Sequence, residues 1–136
     1  MDNGGKKKIV TVWGKGQDYS VLGEILAGSY QVLSLTDRKE VCEILSGQSA
    51  EIAAVVADIG ILSENGFEIV KKIREDMRFV AIPLAAVSPD PGYPLMKDAV
   101  KEGISEYFVP PFEEISINLR LNNAIRSKDS ATMKQS

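Results

Sequence analysis

The segment Ile52-Ala53-Ala54-Val55-Val56-Ala57-Asp58 decides the fold. Its first six residues are all apolar, without the polar alternation of a strand that faces water on one side. A continuous apolar run of this length is typical of a strand covered on both faces of a parallel sheet. Because an unpartnered carboxylate is costly to bury, Asp58 is expected in an open crevice or beside a partner. It is either a functional acid or a residue that caps a helix or forms an ion pair.

Alternating strand and helix patterns lie on both sides of this segment. Further strands are predicted at residues 8–13, 31–35, 82–87 and 106–109. Helices are predicted at residues 18–27, 36–47, 66–77, 95–102 and 113–126, with Thr36 or Asp37 as a cap, Gly28 and Gly47 as stop signals, and a loop at 59–66. The alternation predicts a five-stranded parallel sheet with helices on both faces. Right-handed crossovers make this a doubly wound α/β domain.

The chain has the length of one domain. Its 136 residues fit a single unit, which we place at residues 7–126. Residues 1–6 are interpreted as a flexible flank. Residues 127–136 are polar and are interpreted as a tail or linker.

Composition excludes several function classes. The chain has no histidine and one cysteine, so it cannot build a Ser-His-Asp or Cys-His catalytic group or a structural zinc site. The net charge of −3 argues against a nucleic-acid partner. No apolar stretch approaches the roughly 20 residues of a membrane span, and no signal peptide is visible. We therefore expect a cytoplasmic protein without a membrane partner, and we interpret Cys42 as a buried apolar residue.

Ligands of open α/β sheets gather beyond the carboxyl ends of the strands. Trp13 and Gly14 follow the first predicted strand, Asp58 ends the third, Ser88 follows the fourth, and Pro110 follows the fifth. These residues are expected to meet at one edge of the sheet.

Spacing around Asp58 gives the chain a specific resemblance. Gly66 lies eight residues after Asp58 and Ser88 thirty residues after it, and Tyr107 lies in the fifth strand, before the pair Pro111-Phe112. In this the chain resembles the receiver domain of bacterial response regulators. The resemblance implies the flavodoxin-like strand order 2-1-3-4-5. It also implies that Asp58 is the phosphoacceptor candidate and that Ser88 and Tyr107 are switch candidates.

The chain departs from receivers at two places. Receivers carry two adjacent acids after strand 1, where this chain has Val12-Trp13-Gly14-Lys15, and a lysine before the Pro-Phe pair, where it has Pro110. Mg²⁺ needs oxygen ligands, and phosphoryl transfer needs charge compensation. We therefore expect no cofactor, and Mg²⁺ binding that is weak or absent. The site is expected to be lined by Trp13, Gly14, Lys15, Gly60 and Pro110.

Three residues could replace the lost groups. Asp18 could reach back toward a metal or cap the first helix. Lys15 could supply the missing cation over Asp58 or remain solvated. Trp13 could fill the emptied acidic position or simply pack at the strand end.

The leading hypothesis is a receiver-like signalling domain, not an enzyme, that acts mainly through protein contacts. The resemblance implies a histidine kinase or other signalling protein as partner, a second copy bound through strand 5 and the last helix, and a C-terminal output domain in a longer chain. The candidate surface includes Tyr107, Phe108, Ile117 and Leu121, and the surplus of apolar residues in the last helix indicates either a contact surface or a wide buried face. The alternatives are a functional phosphoacceptor with atypical metal or lysine substitutes and a flavodoxin-like small-molecule binder.

Overall fold

The computed structural model describes residues 6–13, 19–48, 51–90 and 96–135. The strands are β1 (Lys8–Val12), β2 (Gln31–Leu35), β3 (Ile52–Asp58), β4 (Leu84–Val87) and β5 (Glu106–Phe108). The helices are α1 (Ser20–Ser29), α2 (Arg38–Gln48), α3 (Ile59–Leu62), α4 (Glu64–Glu75), α5 (Met96–Glu102) and α6 (Glu114–Gln135). Among the described residues, no helix has the length and apolar character needed to cross a bilayer.

The sheet has the predicted topology. All four strand pairings are parallel, and the order is β2-β1-β3-β4-β5. Val12 pairs with Ala57, and Asp58 pairs with Val87. The residues at the carboxyl ends of β1, β3 and β4 therefore lie side by side. The doubly wound α/β fold and the strand order 2-1-3-4-5 are confirmed.

The central strand β3 is covered on both faces, as its apolar run predicts. Val55 and Ala57 belong to a core cluster shared with α2, α4 and α5. Ala54 and Val56 belong to a second cluster, shared with α1 and α6. Successive side chains of a strand point to opposite faces, so an uninterrupted apolar run supplies both clusters.

Two predicted boundaries near Asp58 and Gly28 are wrong. The expected loop at 59–66 contains the short helix α3, because the Asp58 side chain accepts a hydrogen bond from the Gly60 amide and caps it. Gly28 is not a stop signal, since α1 continues to Ser29 and ends at Tyr30, whose backbone is extended. Asp37 does serve as the cap of α2, and its carboxylate accepts from the Lys39 amide at 2.9 Å.

The last helix is longer than its pattern indicated. It was expected to end near residue 126, but α6 continues to Gln135. Residues 127–135 contain no glycine or proline and include several good helix formers. Part of the segment interpreted as a polar tail is thus helical, because polarity alone does not end a helix.

The start of α4 has an unusual backbone. Asn65, Gly66 and Phe67 adopt left-handed conformations with φ of 52°, 67° and 62°. Only glycine adopts this region freely, and a phenylalanine there is strained. The Phe67 side chain is buried in the core, which offsets the cost. Gly66 therefore lies at a sharp turn before the regular part of α4.

Candidate functional site

Asp58 is buried at the carboxyl end of β3, with 6% of its surface exposed. One carboxylate oxygen, Oδ1, accepts a hydrogen bond from the Gly60 amide at 2.7 Å. The other, Oδ2, accepts one from the Tyr19 hydroxyl. Hydrogen bonds to a carboxylate stabilise its charged form and compensate for its removal from water. Asp58 therefore lies beside partners supplied by the chain itself.

Tyr19 is positioned by the start of α1. It is the residue that precedes the helix, and its carbonyl accepts from the Gly23 amide at 2.8 Å, so its backbone belongs to the first helical turn. This first turn lies near the carboxyl end of β1, the neighbour of β3. The Tyr19 ring is 3% exposed, and its hydroxyl meets Asp58 across the strand ends. A tyrosine at the start of α1 thus contacts the carboxylate at the end of β3.

Two further aromatic rings pack against Tyr19. The centroid of Trp13 lies 5.0 Å from that of Tyr19, with the planes at 48°. The ring of Phe112 lies 6.2 Å away, at 56°. These are the tilted arrangements that aromatic pairs prefer. Trp13, Tyr19 and Phe112, which we call the aromatic cover, bring together residues from the end of β1, the start of α1 and the segment between β5 and α6.

Trp13 could either fill the emptied acidic position or pack at the strand end, and in the structure its ring packs against that of Tyr19. Trp13 directly follows β1 and is half-buried, and it contacts Tyr19. Tyr19 is the aromatic residue that bonds to Asp58. Gly14, Lys15 and Asp18, which were also considered at this position, lie outside the described residues.

The two switch candidates lie in neighbouring strands. Ser88 follows β4 and is fully buried; its hydroxyl donates to the Asp90 carbonyl at 2.9 Å and accepts from the Asp90 amide at 3.1 Å. Its own amide donates to the Phe108 carbonyl at 3.1 Å. Tyr107 is buried in the middle of β5. Ser88 and Tyr107 thus lie in neighbouring strand segments, and the Ser88 hydroxyl forms a local turn with Asp90.

The remaining predicted residues flank this arrangement. Pro110 lies just beyond β5 and is joined to Pro111 by a cis peptide bond. Gly60 donates its amide to Asp58, and a side chain at that position would come within 2.8 Å of the Asp58 carboxylate. Within the described ranges, no group of three acidic, histidine or cysteine residues could hold a metal ion.

Sequence reasoning missed Tyr19. The usual residue at a helix start is Ser, Thr, Asp or Asn, because its short side chain caps the helix. Tyr19 makes no such side-chain cap, and this departure is the signal that its side chain has another role. This departure does not identify the partner of the side chain, since only the adjacency of β1 and β3 brings Tyr19 to Asp58.

The comparisons with known proteins agree with this fold. No family model matches the chain. A crystal structure of a response regulator receiver domain protein from Clostridium thermocellum superimposes with a TM-score of 0.76, at 20% identity, over 92% of this chain and 98% of that one. The two-component response regulator ORR5 of Oryza sativa subsp. japonica is 21% identical over 127 residues, which cover 93% of this chain and 94% of that protein. The chain is a homologue of response regulator receiver domains.

A second relative matches a shorter stretch of this receiver domain. Chemotaxis protein CheY1 of Helicobacter pylori (strain ATCC 700392 / 26695) is 28% identical over 81 residues, which cover 60% of this chain and 65% of that protein. The match thus spans just under two thirds of the CheY1 chain. Identities this low are compatible with the substitutions at the ends of β1 and β5.

Trp13 should report the state of the Asp58–Tyr19 pair. It is the single tryptophan of the receiver domain and contacts the Tyr19 ring. Asp58→Ala removes the acceptor of the Tyr19 hydroxyl, so we expect the aromatic cover to loosen and Trp13 emission to shift to longer wavelength. Tyr30→Phe, at a buried tyrosine beyond the other end of α1, is the control and should leave the emission unchanged. Identical spectra for wild type and Asp58→Ala would contradict this coupling.

Proposed function

We propose that this receiver domain signals through protein–protein contacts, without enzymatic activity and without a conventional phosphorylation switch. The observation that carries the proposal is the state of Asp58. Both of its carboxylate oxygens accept hydrogen bonds from the chain, and the side chain is 6% exposed. A phosphoryl donor needs an accessible carboxylate oxygen in line with the transferring phosphorus.

The residues around Asp58 do not fit Mg²⁺. This ion prefers near-octahedral oxygen coordination, usually with one or two carboxylates. Val12 and Trp13 occupy the strand end where receivers have two acids, and the oxygens of Asp58 already accept hydrogen bonds. The Tyr19 hydroxyl donates a hydrogen bond to Oδ2 of the carboxylate and so competes with a cation for that oxygen. We infer that the domain uses no cofactor and binds Mg²⁺ weakly or not at all.

The strand 5 end also lacks a fixed cation. Pro110 stands where receivers have a lysine, and proline has neither a side-chain charge nor a backbone N–H. The residue at this strand end would therefore not compensate the charge that develops on a transferring phosphoryl group. The loss of the acids after β1 and the loss of the lysine after β5 both disfavour phosphorylation of Asp58.

The residues predicted for the contact surface are wrong, because they are buried in the structure. Ile117 and Leu121 are 3% and 0% exposed, and with Ile125 they form the buried stripe of α6. Tyr107 and Phe108 are buried as well. Ile115 and Leu119 are 82% and 58% exposed, one turn apart on the same helix face.

Exposed apolar side chains in pairs are typical of contact surfaces. We infer that a signalling protein such as a histidine kinase, or a second copy of the chain, binds at the exposed face of α6, to which Ile115 and Leu119 contribute. In a longer chain, an output domain would follow α6.

Leu119→Asp tests the contact surface. The change should abolish self-association, measured by sedimentation velocity, and leave the circular dichroism spectrum unchanged, because Leu119 faces solvent. Met77→Asp, at a residue 91% exposed beyond α4, is the matched control and should associate like wild type. Asp58→Ala should also associate like wild type. A domain whose association survives Leu119→Asp and is lost in Asp58→Ala would contradict the proposed mode of signalling.

A further inference from the structure

We propose that Tyr19 is an internal ligand of Asp58 that closes the acceptor position, so that a reagent from solution reaches the carboxylate only after the Tyr19 side chain has moved. The inference rests on the proposed function and deepens it by naming the residue that controls access to the site.

The two hydrogen-bond donors to Asp58 differ in how readily they can leave. The Gly60 amide belongs to the backbone of α3, which Asp58 caps, so its departure would disrupt that helical turn. The Tyr19 hydroxyl lies at the end of a side chain with two rotatable torsions. Tyr19 is therefore the donor that can release Asp58 while the backbone stays in place.

The aromatic cover holds Tyr19 in the closed position. Trp13 and Phe112 contact its ring, and the ring itself is 3% exposed. Trp13 and Phe112 are half-buried, so they can move toward solvent with less loss of packing than a core residue. The Tyr19 hydroxyl thus occupies Oδ2 of Asp58, and the Tyr19 ring excludes solvent from the carboxylate.

The hydrogen bond between Tyr19 and Asp58 also couples the carboxylate to α1. Ser88, the switch candidate in the neighbouring strand, uses its hydroxyl in a turn with Asp90. Tyr19 instead connects the carboxylate to the start of α1 and, through its ring, to Trp13 and Phe112. A change at Asp58 is therefore transmitted first to α1 and the end of β5.

The test is the rate at which the Asp58 carboxyl is amidated by a water-soluble carbodiimide and glycine ethyl ester, located by peptide mass spectrometry. Wild type should be amidated slowly, Tyr19→Phe faster because the hydroxyl is gone, and Tyr19→Ala fastest because the ring is gone as well. A charge-assisted hydrogen bond corresponds to at least roughly a tenfold change in equilibrium, so Tyr19→Ala should exceed wild type by about tenfold or more.

The control is Tyr30→Ala, at a buried tyrosine far from the site, which should match the wild-type rate. Equal rates in wild type and both Tyr19 variants would overturn the inference, and so would an equal acceleration by Tyr30→Ala, which would show general loosening. If Tyr19→Ala does not fold, Tyr19→Phe decides alone. The measurement uses neither phosphate nor Mg²⁺, so the access role of Tyr19 can fail while the proposed absence of phosphorylation stands, and the reverse.

Discussion

Arg74→Ala is expected to lower the free energy of unfolding by about 3 kcal/mol, because it leaves several backbone carbonyls without a charged donor. The Arg74 guanidinium donates to the Gly103 carbonyl at 2.7 and 3.0 Å, to Ile82 at 2.7 Å and to Val80 at 3.0 Å. It thereby ties the end of α4 to the segments that enter β4 and β5. Burial lowers the pKa of Arg74, the direction expected when a cation is removed from water.

Chemical denaturation of matched arginine variants measures this effect. Arg78 is the control: it forms an exposed ion pair with Asp76 at 2.7 Å, and exposed pairs contribute little. Arg78→Ala should unfold at the same denaturant concentration as wild type. Arg74→Lys should fall between wild type and Arg74→Ala, because an ammonium cannot reproduce the fork of donors. Equal midpoints for Arg74→Ala and Arg78→Ala would contradict the assigned role of Arg74.

The sheet could be predicted from the sequence because its main signal is local. The run of residues 52–57, just before Asp58, has no polar residue. In the structure its alternate side chains supply two separate core clusters. The order of the strands came from the resemblance around Asp58, Ser88 and Tyr107 and was confirmed. Periodicity is a property of a few adjacent residues, and spacing is read directly from residue numbers, so the sequence contains both.

The division of α6 into buried and exposed residues was predicted less well. Its apolar residues occupy two sets of positions, 115 and 119 in one and 117, 121 and 125 in the other. Residues four apart share a helix face, so the larger set forms the buried stripe and the smaller set faces solvent. The predicted contact surface included Ile117 and Leu121, which belong to the buried set.

The partner of Asp58 could not be predicted because it depends on tertiary geometry. Tyr19 lies thirty-nine residues before Asp58, and its hydroxyl meets the carboxylate only because β1 and β3 are neighbours. The sequence indicated that a buried carboxylate needs a partner and that the usual receiver acids are missing. It contained no local signal that a tyrosine at the start of α1 would supply the bond.

Phosphorylation of Asp58 is expected to be at least about a thousandfold slower than in a receiver that keeps the acidic pair and the lysine. Loss of a single charge-stabilising donor costs roughly 10²–10³ in rate, and this sequence has neither the acidic pair after β1 nor the lysine after β5. Tyr19 adds to the effect, because its hydroxyl must leave Oδ2 before that oxygen can attack phosphorus. Addition of Mg²⁺ should therefore not accelerate the reaction.

Intact-protein mass spectrometry after incubation with acetyl phosphate, with and without Mg²⁺, tests the central claim most directly. The account predicts that wild type and Asp58→Asn give the same spectrum in both conditions, with no phosphorylated species. A phosphorylated form that appears in wild type, grows with Mg²⁺ and is absent from Asp58→Asn would contradict it and would show that the domain is a working phosphoacceptor.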